Sequence, residues 1–146
     1  MKQAVLNLLF SLIAFSIAYS IALLTGLQVI QQAVLIAFVI QWFMFIPAFI
    51  FQTEKFYDIT GSVTYISIVT YISFQSYYAI NINIGSILLA SCIILWAIRL
   101  GSFLFTRIHK AGEDKRFKFI KPSPTRFFMT WTLQGMWVSI CSMCAL

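Results

Sequence analysis

From Ala4 to Leu24 the chain reads AVLNLLFSLIAFSIAYSIALL, a run without one charged side chain. At about 1.5 Å of helical rise per residue it can cross the roughly 30 Å hydrocarbon core of a bilayer. A helix at the surface of a soluble protein needs a polar face toward water, and this run has none. Lys2 ahead of it resembles the start of a secretory signal, but the run is too long and lacks a small-residue cleavage site. It is expected to stay in place as a first membrane span.

Working outward from this run, the pattern recurs. Val29–Phe51 is uncharged, interrupted by Gln31, Gln32, Gln41 and Pro47, and the proline is expected to kink or end the helix. Ser62–Ile80 is apolar but rich in Ser, Thr and Tyr, a composition suited to close helix packing. Ser86–Phe105 carries Arg99 about two turns inside its end, and Phe127–Leu146 closes the chain. The expectation is an all-α, polytopic transmembrane helical bundle of about five spans (4–24, 29–51, 62–80, 86–105 and 127–146) in a single domain, residues 1–146. Gly26, the polar junction 52–61 and the turn 81–85 separate the first four spans. The long loop 106–126, which can begin as helix but is broken by Gly112 and the Lys121-Pro-Ser-Pro124 run, precedes the fifth.

Composition agrees with that solvent. Of 146 residues 61% are hydrophobic and 10% charged, against roughly 45–50% and 25% in soluble domains. Such a chain is neither disordered nor a nucleic-acid binder, despite its net charge of +6. The charge is local: Arg99, Arg107, Lys110, Lys115, Arg116, Lys118, Lys121 and Arg126 lie in one stretch. By the positive-inside rule the loop 106–126 is cytoplasmic, and alternation of five spans places the amino terminus and the 52–61 junction on the same side. The opposite turns, 25–28 and 81–85, carry no Lys or Arg.

Three constellations have chemical potential. Gln52, Glu54, Tyr57 and Asp58 gather at the second junction, where continued helix would place Glu54, Tyr57 and Asp58 on one face. A phenol beside a partly desolvated carboxylate suits proton transfer to a carbonyl; the same residues also suit a solvated interfacial turn. Arg99 and Arg107, with Lys110, Lys115 and Arg116, could receive phosphates through charge-assisted bonds, or anchor the topology beside anionic headgroups. An arginine at the depth of Arg99 calls for a polar cavity, a partner or a route to the interface. In Gly112-Glu-Asp-Lys-Arg116, Asp114 could order the loop or hold a polar group of a cofactor. No metal site is expected, since His109 is the only histidine. Cys141 and Cys144 lie in an apolar segment without a basic neighbour, so no redox pair is expected from them or from Cys92.

The blocks Gln52-Thr-Glu-Lys-Phe-Tyr-Asp-Ile-Thr-Gly-Ser62, Trp96-Ala-Ile-Arg-Leu-Gly-Ser-Phe-Leu-Phe-Thr-Arg107, Gly112-Glu-Asp-Lys-Arg-Phe117 and Phe127-Phe-Met-Thr-Trp-Thr-Leu-Gln-Gly-Met-Trp137 resemble bacterial membrane proteins allied to the steroid 5-alpha-reductases. The resemblance implies an inner-membrane enzyme that uses NADPH to reduce a carbon–carbon double bond conjugated to a carbonyl in a hydrophobic, steroid-like or polyprenoid lipid. It implies Glu54 and Tyr57 as catalytic residues, Gln52 and Asp58 at the substrate cavity, and Arg99, Arg107, Asp114 and Arg116 around the cofactor. The Ser-Arg-His-Pro-Asn-Tyr block of that family is not in this sequence. The chain therefore resembles the amino-terminal half, with further helices or a second chain as expected partners beside membrane lipid. Two alternatives are a non-catalytic helical subunit or fragment, and a membrane methyltransferase of related architecture.

Overall fold

A computed structural model describes residues 1–80 and 82–145. Among them five α-helices and one short 3-10 turn make up the ordered elements, with no strand: α1 Lys2–Leu24, α2 Gln28–Ile50, α3 Tyr57–Tyr78, α4 Ile84–Ala111, the turn Lys115–Phe117, and α5 Pro124–Ala145. The all-α membrane bundle expected from the sequence is what forms, and α1, α2 and α4 are each long and apolar enough to cross a membrane.

On α1 and α4 the packing is the reverse of a water-soluble core. On α1 the buried positions are Asn7, Ser11, Ala14, Ala18 and Ala22, a stripe at helical spacing, while Leu9, Leu12 and Ile13 face outward. Small side chains let backbones approach, and lipid accommodates the large ones. On α4 the buried positions are Ala97, Gly101 and Ile108. The interior is most occupied along α5, where Phe127, Trp131, Thr132, Val138 and Ser139 are almost fully enclosed. This helix is wedged among α1, α2 and α3, whereas α4 lies outside, chiefly against α3. Trp42 Nε1 donates to Thr132 Oγ1 at 3.1 Å, tying α2 to α5.

One end of the bundle gathers the amino terminus, the α2–α3 junction and the α4–α5 loop. Asn7 Nδ2 donates to Thr125 Oγ1 at 3.2 Å, which places the starts of α1 and α5 side by side. Lys2, Lys55 and the cations of the loop thus lie toward one end, in keeping with alternating spans. We call it the basic end.

Helix boundaries differ from the expected ones where polar residues belong to helix ends. Pro47 does not stop α2, which runs three residues further to Ile50. The chain then turns, with Gln52 in the left-handed region (φ 48), and restarts at Tyr57 rather than near residue 62. Glu54 therefore does not share a helix face with Tyr57 and Asp58. Asp58 suits the first turn of α3, where its charge meets the exposed N–H groups. Similarly α4 continues past Phe105 to Ala111 and closes on Gly112 (φ 80), whose N–H donates to Ile108 O at 2.9 Å. Gly85, expected in a turn, lies inside α4, capped by Asn83, which accepts from Ser86 N at 2.7 Å. Asn81 and Leu146, each in an expected turn or span, lie outside the described residues.

Candidate functional site at the basic end

The expected site residues of the α2–α3 junction and the loop converge at the basic end. Glu54 is buried, its side chain 3% exposed. One carboxylate oxygen accepts from the Asp114 backbone N–H at 2.8 Å, and the other pairs with Lys121 Nζ at 2.8 Å. A single side chain from the junction thus grips both arms of the loop. Burial opposes its charge, but the Lys121 ammonium, the Asp114 N–H and its own backbone N–H outweigh that and hold the carboxyl below its ordinary value of 4.5.

Asp114 is the second organiser. It accepts from Arg116 N at 3.0 Å and from Arg116 Nε at 3.0 and 2.9 Å, while Arg116 Nη2 also reaches its Oδ2. The Arg116 guanidinium holds Asp114 below the usual carboxylate range, and Asp114 raises Arg116 in turn. The same Nη2 lies 3.9 Å from Asp58 Oδ2. That oxygen is buried and has no hydrogen-bond partner.

Between these charges the loop drives an aromatic plug into the bundle. Phe117 is buried, edge-to-face with Tyr57 at 4.9 Å and packed with Phe127, Trp131 and Ala48. The Tyr57 ring also meets Trp131 at 5.2 Å, and its hydroxyl donates to Thr130 O at 3.1 Å. Tyr57→Phe keeps every ring contact and loses one hydrogen bond. The expected loss is about 0.5–1.5 kcal/mol of folding stability in an unfolding titration.

Not every expected residue arrives at this cluster. Gln52 is exposed and its amide donates to Phe49 O at 2.7 Å, so it caps α2. Arg107 is exposed on the last turns of α4, without an ion pair or hydrogen bond among the described residues. Arg99 is exposed on the outer face of α4, in a shallow groove of about 330 Å³ with Trp96, Leu100 and Phe103. It has no ion pair or hydrogen bond among the described residues, and its helix position lies about 12 Å along the axis from Arg107. Ala97 and Gly101 form the face of α4 toward α3, so Arg99 points away from the bundle interior.

Lys121, Phe117, Trp131 and Gln134 escaped the sequence reading. Phe117 had the best signal, a phenylalanine flanked on both sides by cations in the polar loop. Beside the cluster lies an apolar cleft of about 400 Å³ between α2 and α3, lined by Val39, Phe43, Met44, Ile59, Thr60 and Val63 among others. Among the described residues no group of histidine, cysteine and carboxylate side chains could hold a metal ion.

Helices that present small and hydroxyl side chains to one another and aliphatic ones outward, closed at one end by a charged loop, define a polytopic helical membrane protein. The chain belongs to DUF1295, a family described as proteins of unknown function, whose profile matches residues 43–146. That match takes in the α2–α3 junction, α3, α4, the loop and α5. No curated protein and no solved structure matches the chain.

Proposed function

We propose that this protein is a membrane reductase that uses NADPH to reduce a carbon–carbon double bond conjugated to a carbonyl in a hydrophobic lipid or steroid-like substrate, with the basic end in the cytoplasm. The observation that carries the reading is the join between two environments on α3. Tyr57 and Asp58 belong to the carboxylate–arginine cluster, and Ile59, Thr60 and Val63, directly after them, line the apolar cleft. A substrate whose tail lies in the cleft would bring a polar head to the cluster. The likeness of the 52–62, 96–107, 112–117 and 127–137 blocks to steroid 5-alpha-reductase relatives supports the same reading.

The residues present suit a phosphate-bearing cofactor. Arg107, Lys110, Lys115, Arg116 and Lys118 are all exposed at this end, and guanidinium and ammonium donors match phosphate oxygens. Arg107 carries no ion pair among the described residues, whereas Arg116 would have to share or exchange Asp114. When bound, NADPH supplies hydride to the β-carbon of the enone. The chain's own part is acid catalysis. Tyr57 would turn its hydroxyl from Thr130 O to the substrate carbonyl, and Asp58, with an oxygen free of donors, would hold the proton. Glu54, ionised and doubly engaged, would serve by keeping the loop in place.

The test is titration of the purified protein in lipid nanodiscs with NADPH and, separately, with S-adenosylmethionine, followed by turnover with a panel of enone lipids. NADPH binding that weakens about tenfold in Arg107→Ala, as expected for losing one charge-assisted contact, and oxidation of NADPH only when an enone is present, would support the reading. A folded protein that ignores NADPH, or binds the methyl donor in its place, would end it.

A further inference from the structure

We propose that the outward face of α4 docks a partner transmembrane helix that presents a carboxylate to Arg99. Ala97, Gly101 and Ile108 turn one side of α4 to the bundle, and Arg99 lies on the opposite side, exposed. It stands about 22 Å along the axis from Ile84 and about 18 Å from Ala111, near the middle of a helix long and apolar enough to cross a membrane. Ionisable side chains at such a depth almost always face the interior of a helix bundle, because hydrocarbon solvates a guanidinium poorly. The outside of this bundle at Arg99 is therefore the inside of a larger one.

The face has the pattern of a helix contact. Leu88, Cys92, Leu95, Arg99, Ser102 and Thr106 recur at alternating intervals of four and three and are all exposed, the seam by which two helices cross at about 20°. α4 leans chiefly on α3 and leaves this seam uncovered. A second copy does not suit it. Two-fold pairing through the seam would bring guanidinium to guanidinium, and the chain's four carboxylates, Glu54, Asp58, Glu113 and Asp114, all belong to the junction and the loop at the basic end. A lipid phosphate suits it less well than a helix. Helical side chains lean toward the N-terminus of their helix, which on α4 is away from the basic end, and Arg107 stands about 12 Å closer to the headgroups there than Arg99. A carboxylate on a facing helix would neutralise the guanidinium through two parallel hydrogen bonds. The inference is independent of the reductase reading, since Arg99 takes no part in the cluster at the basic end.

The experiment uses the whole protein in phosphatidylcholine nanodiscs, in a Cys141→Ser/Cys144→Ser background that leaves Cys92 as the single thiol. The probe is a transmembrane peptide of leucine and alanine with one central glutamate and a cysteine seven residues to either side, the interval from Cys92 to Arg99. Disulfide formation with Cys92 under mild oxidation is expected to exceed that of the same peptide with leucine for glutamate by about tenfold, the size of one interhelical polar contact in a bilayer. Arg99→Leu, a change that suits a lipid-exposed position, should remove the difference. Equal crosslinking by the two peptides, or a difference that persists in Arg99→Leu, overturns the proposal. A disulfide between two copies through Cys92 in preference to the peptide would give the face to self-association and overturn it as well. Loss of the crosslink when phosphatidylglycerol replaces part of the phosphatidylcholine would do the same in favour of a lipid phosphate.

Discussion

Replacing Glu54 by alanine is expected to release the loop 112–121 and to lower folding stability by about 2–3 kcal/mol. Two losses combine. The Asp114 N–H loses its acceptor, and Lys121 loses the carboxylate 2.8 Å from its ammonium. Breaking a buried pair costs about 3–5 kcal/mol when the survivor stays buried. Here the Lys121 side chain is already 19% exposed and can turn toward water, which reduces the figure. Hydrogen exchange should show the loop amides losing protection ahead of the helices, the Asp114 amide above all, since Glu54 is its acceptor. In Glu54→Ala/Lys121→Ala the lone cation is removed, so the double variant should be less destabilised than the sum of the single ones. Strict additivity would show that the ion pair does not hold the loop.

The same latch predicts a pH dependence with a definite sign. Glu54 titrates at a lower pH in the fold than in the unfolded chain, so the folded state favours its ionised form. The stabilisation is complete above the ordinary carboxylate value and falls away as pH drops through the depressed one. Asp114, lowered by Arg116, acts in the same direction. Loop protection, corrected for intrinsic exchange, should therefore be constant above about pH 5 and decline below about pH 4.5. Glu54→Gln should show a weaker decline, carried by Asp114 alone.

The runs without charge made the spans legible, because a helix bare of charge on every side has one solvent available. Legibility ended at the interface. Tyr57 and Asp58 read as loop because they are polar, yet polar residues are what a first turn at a membrane surface carries. Thr106–Ala111, where the sequence left room for a helical start to the loop, is the amphipathic end of α4, its Ile108 buried while its cations are exposed. The pairing of Glu54 with Lys121 could not be read, since nothing in the chain singles out one of eight neighbouring cations. Arg99 could have been placed. Ala97 and Gly101, four apart, are the small residues a helix contact selects, and Arg99, two positions from each, must then point about 180° away from that contact.

That contact yields the other large effect. Gly101→Ala is expected to cost about 1–3 kcal/mol, the usual range for forcing atoms into a packed interface. A β-carbon at position 101 would stand 2.6 Å from Ser62 Oγ and 2.7 Å from Ser62 Cβ. Rotating the serine moves its hydroxyl but not its Cβ, so α3 and α4 must separate. Because α4 leans chiefly on α3, the shift should loosen α4 while α1, α2, α3 and α5 stay packed. Gly61→Ala is the control. Its nearest obstacle is also at 2.6 Å, but that atom is Gln134 Nε2, the far end of a flexible side chain. It can swing aside for the loss of the bond to Tyr57 O, and the cost should stay near 1 kcal/mol. Ser62→Gly in the Gly101→Ala background removes the obstructing Cβ at the expense of about 0.5–1 kcal/mol of helix propensity. The double variant should therefore recover stability relative to Gly101→Ala alone. A double variant weaker than Gly101→Ala would mean that the two helices do not meet at Ser62 and Gly101.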